Sequence, residues 1–239
     1  NISWKKTYGG NVSDEARRIM AMPNGELVLG ITSNSFTDDF ANTAYQNNFE
    51  PNIWLFKLNS SGVVQNKKLI GGSNTDVLND LITAPDGNFI IAGSTRSNNG
   101  DIKDRDRISS NNNGGFDMLL VKTSTNFDIF WQKTVGGSAD DEGNGVMANG
   151  DGTIIGVGTT QSFDGDVNGN HNSSQDNRDI FLLKLTYPNL PCDANITTDK
   201  NLVAANTDIL ASETVNTSDR VTQNSSVHYG ASKSVDITA

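Results

Sequence analysis

The chain has 239 residues, 18 Lys and Arg against 28 Asp and Glu, a net charge of −10, two His and one Cys. Phosphate binding needs a basic footprint, so this balance argues against nucleic acid and against an anionic membrane surface as partners. The longest apolar runs are strand-length, which excludes a bilayer-spanning helix; a single Cys excludes an internal disulfide; and no signal peptide is visible.

The chain opens on Trp4-Lys5-Lys6-Thr7-Tyr8-Gly9-Gly10, and this phrase returns at Asn66–Gly72 and Trp131–Gly137. Its second lysine stands at 6, 68 and 133, steps of 62 and 65, and such a period signals a modular array. Residues 1–10 therefore read as an outer strand, d, of a preceding or closing blade. Each unit then runs through an acid, an apolar strand a, an Asx-Gly turn, a short β-branched strand b, a long polar loop, an apolar strand c ending at Lys, and strand d. The units cover about 11–72, 73–137 and 138–187, and the last lacks its own d. Their acids are Asp14, Asp76 and Asp141, and their turns are Asn24-Gly25, Asp86-Gly87 and Asp151-Gly152, strong hairpin signals. No stretch carries a helical period.

Four-stranded antiparallel repeats predict an all-β fold of β-propeller blades over residues 1–190. Three blades leave little room around an axis, so a fragment of a larger propeller is expected. From about Cys192 the pattern changes, and Val227/Tyr229 and Val235/Ile237 alternate as a half-buried strand does. Residues 191–239 read as a small, incomplete β-rich module, with Cys192 a small buried residue at the junction. Because strands alternate in direction, the d–a and b–c connections share one face. The long loops, about 34–52, 97–114 and 162–179, therefore make that face the place for recognition.

Asp164-Gly165-Asp166-Val167-Asn168-Gly169-Asn170 has oxygen ligands at alternate positions and Gly at the sixth, as calcium loops do, although the twelfth-position acid is replaced by Gln175. Asp164, Asp166, Asn168 and Asn170 are the candidate Ca²⁺ ligands, and an Asx-turn loop capping its own backbone is the competing reading. Aligned on Gly30, Gly93 and Gly158, position 166 matches Asp101 and Asp38. Asp14, Asp76 and Asp141 read as acceptors for backbone hydrogen bonds that pin one blade to the next. The lysines at 6, 68 and 133, and at 57, 122 and 184, read as edge shields or partners of those acids. Trp4 and Trp131 read as blade packing. With His171 and His228 far apart in the chain, neither a metal triad nor a Ser/His/Asp set can be assembled, so catalysis is not expected.

Trp131 to Gly137, Asp141-Glu142, Asp151-Gly152, Gly158-Thr159-Thr160, Asp164 to His171 and Leu182 to Leu185 together carry a resemblance to the tandem propeller repeats of secreted Bacteroidetes surface proteins. It covers about residues 2–187. The second unit departs with Asn66 for Trp and Lys103-Asp104-Arg105 in its loop, and the first lacks the Asp-Gly-Asp loop. The resemblance implies a secreted or cell-surface, non-catalytic binding or adhesion protein exported by a type IX secretion system. Its partners would be the outer-membrane export and anchoring machinery, with a glycan or protein ligand on the long-loop face. The alternative is a carbohydrate-active propeller enzyme.

Overall fold

The computed structural model describes residues 1–41, 50–102, 115–167, 171, 177–186, 207–209 and 227–229. It is all-β, with no α-helix among those residues. Blade 1 is the antiparallel sheet β1 (Asp14–Ala21), β2 (Leu27–Ser33), β3 (Asn52–Leu58) and β4 (Val64–Ile70), in that spatial order. Blade 2 repeats it with β5 (Asp76–Thr83), β6 (Phe89–Thr95), β7 (Asp117–Thr123) and β8 (Ile129–Val135). Blade 3 has β9 (Asp141–Ala148), β10 (Ile154–Thr160) and β11 (Asp179–Leu185). Residues 1–186 form one compact unit. Within the second unit, residues 187–239, β12 (Thr207–Ile209) and β13 (Val227–Tyr229) pair in parallel. Cys192 lies outside the described residues.

The a–b turns follow from their glycines. Gly25, Gly87 and Gly152 have φ of +84°, +81° and +81°, a region closed to most side chains. The Asx before each Gly stays at negative φ. Its side-chain oxygen accepts the N–H two residues on: Asn24 from Glu26 at 3.1 Å, Asp86 from Asn88 at 3.1 Å and Asp151 from Thr153 at 2.8 Å. In the c–d turns Gly62 holds φ +74° in blade 1, and Phe127 holds +73° at the matching place in blade 2. That conformation is costly for Phe, and burial offsets it. Its ring packs 6.0 Å from Phe89 in the core.

The principal core lies between blades 1 and 2. Val28, Ile53, Leu55 and Ile70 of blade 1 face Leu78, Leu81, Phe89, Ile91, Leu119 and Val121 of blade 2. Side chains alternate across each strand, so the two faces of a blade serve different neighbours. The opposite face of blade 1 presents Ile31, Trp54 and Phe56, covered by Phe40 from the 3₁₀ turn Asp38–Phe40 and by Tyr8.

Residues 1–10 form no strand, which corrects the sequence expectation. They nevertheless run where strand d of a preceding blade belongs. Trp4 stacks over Gly62, and the Tyr8 hydroxyl donates to the Gly62 carbonyl at 2.6 Å. Between blades 1 and 2 the matching residue Asn66 donates to the Asn126 carbonyl at 3.0 Å, the same relation one blade on. Among the described residues no strand pairs with residues 1–10, which have the place of a d strand but no ladder.

Candidate functional site

The d–a and b–c connections meet on one face, as expected, and a single acid ties them in every blade. Asp76, fully buried, accepts the Gly72 N–H at 2.8 Å and the Ser97 hydroxyl at 2.9 Å, and it also accepts the Thr95 hydroxyl. Asp141, also buried, accepts the Gly137 N–H at 2.7 Å and the Ser162 hydroxyl at 2.7 Å. Asp14 accepts the Gly10 N–H at 3.0 Å and the Ser33 hydroxyl at 2.5 Å. The serines in turn hold the d–a loop. Ser35, Ser97 and Ser162 Oγ accept the N–H groups of Val12, Asn74 and Ala139 at 2.9, 3.0 and 2.9 Å.

The Gly pairs exist because this joint is crowded. A Cβ on Gly71 would overlap Asn52 Oδ1 and lie 2.7 Å from Asp76 Oδ2. One on Gly136 would overlap Asp117 Oδ1 and lie 2.8 Å from Asp141 Oδ2. Burial lifts the Asp76 carboxyl to about 6, against the hydrogen bonds from Thr95, Gly72 and Ser97 that favour the carboxylate; nearby Asp101 adds to the rise.

A second recurring acid anchors the b–c loop from its backbone. The N–H groups of Asp39, Asp101 and Asp166 donate to the carbonyls of Gly9, Gly71 and Gly136 at 3.3, 2.9 and 2.9 Å. The unit 1 member is thus Asp39, not Asp38. Gly30 pairs with Arg18 where Ala92 pairs with Asp80 and Val157 with Gly145, so Gly30 matches Ala92 and Val157, not Gly93 and Gly158. Asp38 instead takes φ +53°, just before Asp39, whose carboxylate accepts the Gly9 N–H at 3.0 Å.

At the expected calcium loop, Gly165 has φ +68° and Asp164 Oδ1 accepts the Ser138 N–H at 2.7 Å. Asn99 does the same for Ser73 at 2.8 Å in blade 2. Asn168 and Asn170 lie outside the described residues. Among the described residues, no three His, Cys, Asp or Glu side chains converge on a metal position. His171 sits beside Asp179, whose carboxylate accepts its backbone N–H at 2.6 Å.

The ion pairs of Lys122 and Lys68 are with other acids than Asp14, Asp76 and Asp141. Lys122 is buried and pairs with Asp86 at 2.5 Å, at the opposite end of the blade. Burial opposes ionisation of Asp86, but Lys122 and Asn88 outweigh it and hold this carboxyl below the usual range. Lys68 reaches 4.0 Å from Asp101, and Lys67 donates to the Asp39 carbonyl at 2.8 Å. Trp131 is buried in packing, and Trp4 is partly exposed.

One link between blades had no signal in the repeat. Asp80, on strand a of blade 2, accepts Arg18 Nε at 2.8 Å from blade 1 and the Val146 N–H at 3.0 Å from blade 3. Arg18 and Asp80 occupy one repeat position, whose blade 3 member is Gly145, and the bridge ends on the backbone N–H of the next residue, Val146. Each strand a carries a bulge just before that position, which re-aims these side chains.

No protein-family model matches the chain, and no curated protein matches it.

Proposed function

We propose that the chain is a non-catalytic binding or adhesion module that works secreted or at the cell surface and holds its ligand on the b–c loop face. The observation that supports this is the buried acid joint. In each blade Asp14, Asp76 or Asp141 fixes the first residues of the b–c loop to the d–a loop. Long polar loops that leave a rigid scaffold from fixed points are suited to recognition. Export as cargo of a type IX secretion system, with the outer-membrane export and anchoring machinery as partner, rests on the repeat resemblance. A glycan array and a bacterial or host-cell binding assay test the reading. Retained binding without turnover, lost when the three loops are replaced by short Gly/Ser linkers at unchanged melting temperature, is the expected result. Hydrolysis of a bound glycan, abolished by one carboxylate substitution, would overturn it in favour of a carbohydrate-active enzyme.

Calcium belongs to the same proposal, held by Asp164, Asp166, Asn168 and Asn170. Asn99 performs the scaffold task of Asp164 without a charge, so the negative charge at 164 is surplus to the joint. An extracellular site tolerates the missing twelfth-position acid, because millimolar calcium suffices there. Asp166→Ala should lower the melting temperature in calcium and leave it unchanged in chelator. Equal melting of the unmutated protein in both would sink the idea.

A further inference from the structure

Blade 1 departs from its sisters at one strained position. Asp38, Gly100 and Gly165 stand just before the anchored acids Asp39, Asp101 and Asp166, and all three hold a left-handed backbone, at φ of +53°, +71° and +68°. Glycine takes that conformation freely, so blades 2 and 3 make the turn without strain, while blade 1 keeps a side chain there against it. The anchoring does not use that side chain. It is done by Asp39, whose N–H donates to the Gly9 carbonyl and whose carboxylate accepts the Gly9 N–H. The Asp38 carboxylate accepts the Thr37 hydroxyl at 2.8 Å, a bond between exposed neighbours that pins no other element.

Asp38 instead lines an open cleft of about 390 Å³, together with Asp39 and with Val64, Gln65, Asn66 and Lys67 of β4. Lys67 fixes one wall of it: its ammonium donates to the Asp39 carbonyl at 2.8 Å and lies 6.0 Å from the centre of the Trp54 ring. Blade 2 fills the same repeat positions with Gly100 and with Ile129, Phe130, Trp131 and Gln132, the last two buried. The place is therefore mostly apolar in blade 2 and polar in blade 1. It lies at the rim of the blade, because the a strands β1, β5 and β9 pack one against the next and strands d stand farthest from them. Residues 1–10 hold the place of the strand d before blade 1, so strands paired to them would lie inward, away from the cleft.

The lining sets the class of ligand. Two carboxylates and one ammonium share the cleft, so an anion is opposed by Asp38 and Asp39 and a cation by Lys67. The amides of Gln65 and Asn66 offer donors and acceptors together, and Val64 is the one apolar side chain of the lining. A neutral ligand rich in hydroxyl groups meets no opposing charge and finds partners on every wall. A carboxylate accepts two adjacent hydroxyls on its two oxygens, in charge-assisted bonds that are stronger than neutral ones. Resting on the reading of the chain as a binding module, we propose that this cleft is its saccharide site. Asp38 receives two adjacent hydroxyls of a neutral sugar, and Lys67 holds the turn that presents it. The strained backbone is retained because it places a carboxylate where the repeat otherwise has glycine.

The test sets Asp38→Gly, which installs the residue of the sister blades, beside Asp38→Asn and the unmutated full chain. Each is read on an array of neutral and acidic oligosaccharides, by titration with the free oligosaccharide that the array retains, and by melting temperature. The unmutated chain should retain a neutral glycan. Asp38→Gly should weaken that binding about tenfold or more at an equal or higher melting temperature, with Asp38→Asn in between. The sugar should raise the melting temperature of the unmutated chain and not that of Asp38→Gly. A lowered melting temperature in Asp38→Gly would overturn the proposal, because the side chain would then serve the turn. Binding that Asp38→Gly leaves unchanged, but that replacement of the three loops abolishes, would overturn this site while the binding reading stands. Preference for acidic glycans would overturn the assigned ligand. An array that retains nothing would overturn the site as well, and cell binding lost on loop replacement would then point to a protein ligand.

Discussion

Asp76 offers a sharp test of the joint, through Asp76→Asn. The substitution keeps one carbonyl oxygen for the Gly72 N–H and the Ser97 hydroxyl, and turns an amide toward Thr95 Oγ1. It removes the ionisation and little else. Burial lifts the folded carboxyl to about 6 from an ordinary value of 3.8. A raised folded value means that this group's contribution is fully present below the unfolded value and is lost as pH rises through about 6. The whole difference is about 3 kcal/mol, at roughly 1.4 kcal/mol for each pH unit. About 2.5 kcal/mol of it falls between about pH 4 and about pH 8. The assay is urea unfolding of both proteins at those two pH values. Other carboxylates titrate alike in both, so the double difference isolates residue 76. The stability of the unmutated protein relative to Asp76→Asn should fall by about 2.5 kcal/mol from the lower to the higher pH, with m values unchanged. A double difference that is flat, or that rises with pH, would refute the burial argument.

Gly136→Ala should cost more than about 2 kcal/mol by overlap with Asp117, while Gly150→Ala, with open space around it, should stay within about 0.5 kcal/mol; urea midpoints decide. Asp86→Ala should cost about 1–2 kcal/mol, since it withdraws the carboxylate from the buried Lys122 ammonium; a loss below about 0.5 kcal/mol would show that solvent takes over the pairing. Asp80→Ala should cost about 1–3 kcal/mol by stranding the Val146 N–H, and amide exchange at Val146 should accelerate with it. Asp39→Ala should loosen residues 1–10, read as faster exchange at Gly9, whereas Asp38→Gly should be neutral or stabilising because it relieves φ +53°.

The blade strands were legible because each is a short β-branched run between an acid and an Asx-Gly turn, and period-two burial is written into such runs. The Gly pairs and their acids were legible through simple recurrence, and the structure gives them the hydrogen-bonding role that the recurrence suggested. The one-residue error at Asp38 has a local cause. Gly30-Ile31-Thr32-Ser33 imitates Gly93-Ser94-Thr95, and matching the glycines broke the constant step of 62 that leads from Asp101 to Asp39. A strand slipped by one residue exchanges its faces, so the step was the better guide. The Arg18–Asp80–Val146 bridge was invisible because Arg18 and Asp80 share one repeat position with unlike charges and the third partner is a backbone N–H, which no side chain announces. Phe127 was invisible because a left-handed Phe has no sequence signature; only the ring's burial accounts for it. Residues 1–10 read as a strand because their residues match strands d, but a ladder needs a neighbour as well as a sequence.

The placement of Asp39, Asp101 and Asp166 has a consequence for how such a chain can change over time. Up to these acids the three repeats keep step residue for residue, 62 and 65 apart. Beyond them the distance to the first residue of strand c is 13, 16 and 13 (52 − 39, 117 − 101 and 179 − 166), so the whole difference between the repeat steps falls in this one stretch. Length variation is thus confined to chain that has already been clamped at its root. Closing a longer loop costs only about 0.6 kcal/mol per doubling. The stretch is held at both ends, by the buried Phe40, Ile102 and Val167 just after the acids and by the Pro51 and Phe116 carbonyls, which accept the Asp76 and Asp141 N–H groups, just before strand c. Length added between those ends leaves the register of the blade beneath unchanged, so each repeat can acquire a new surface without a new fold.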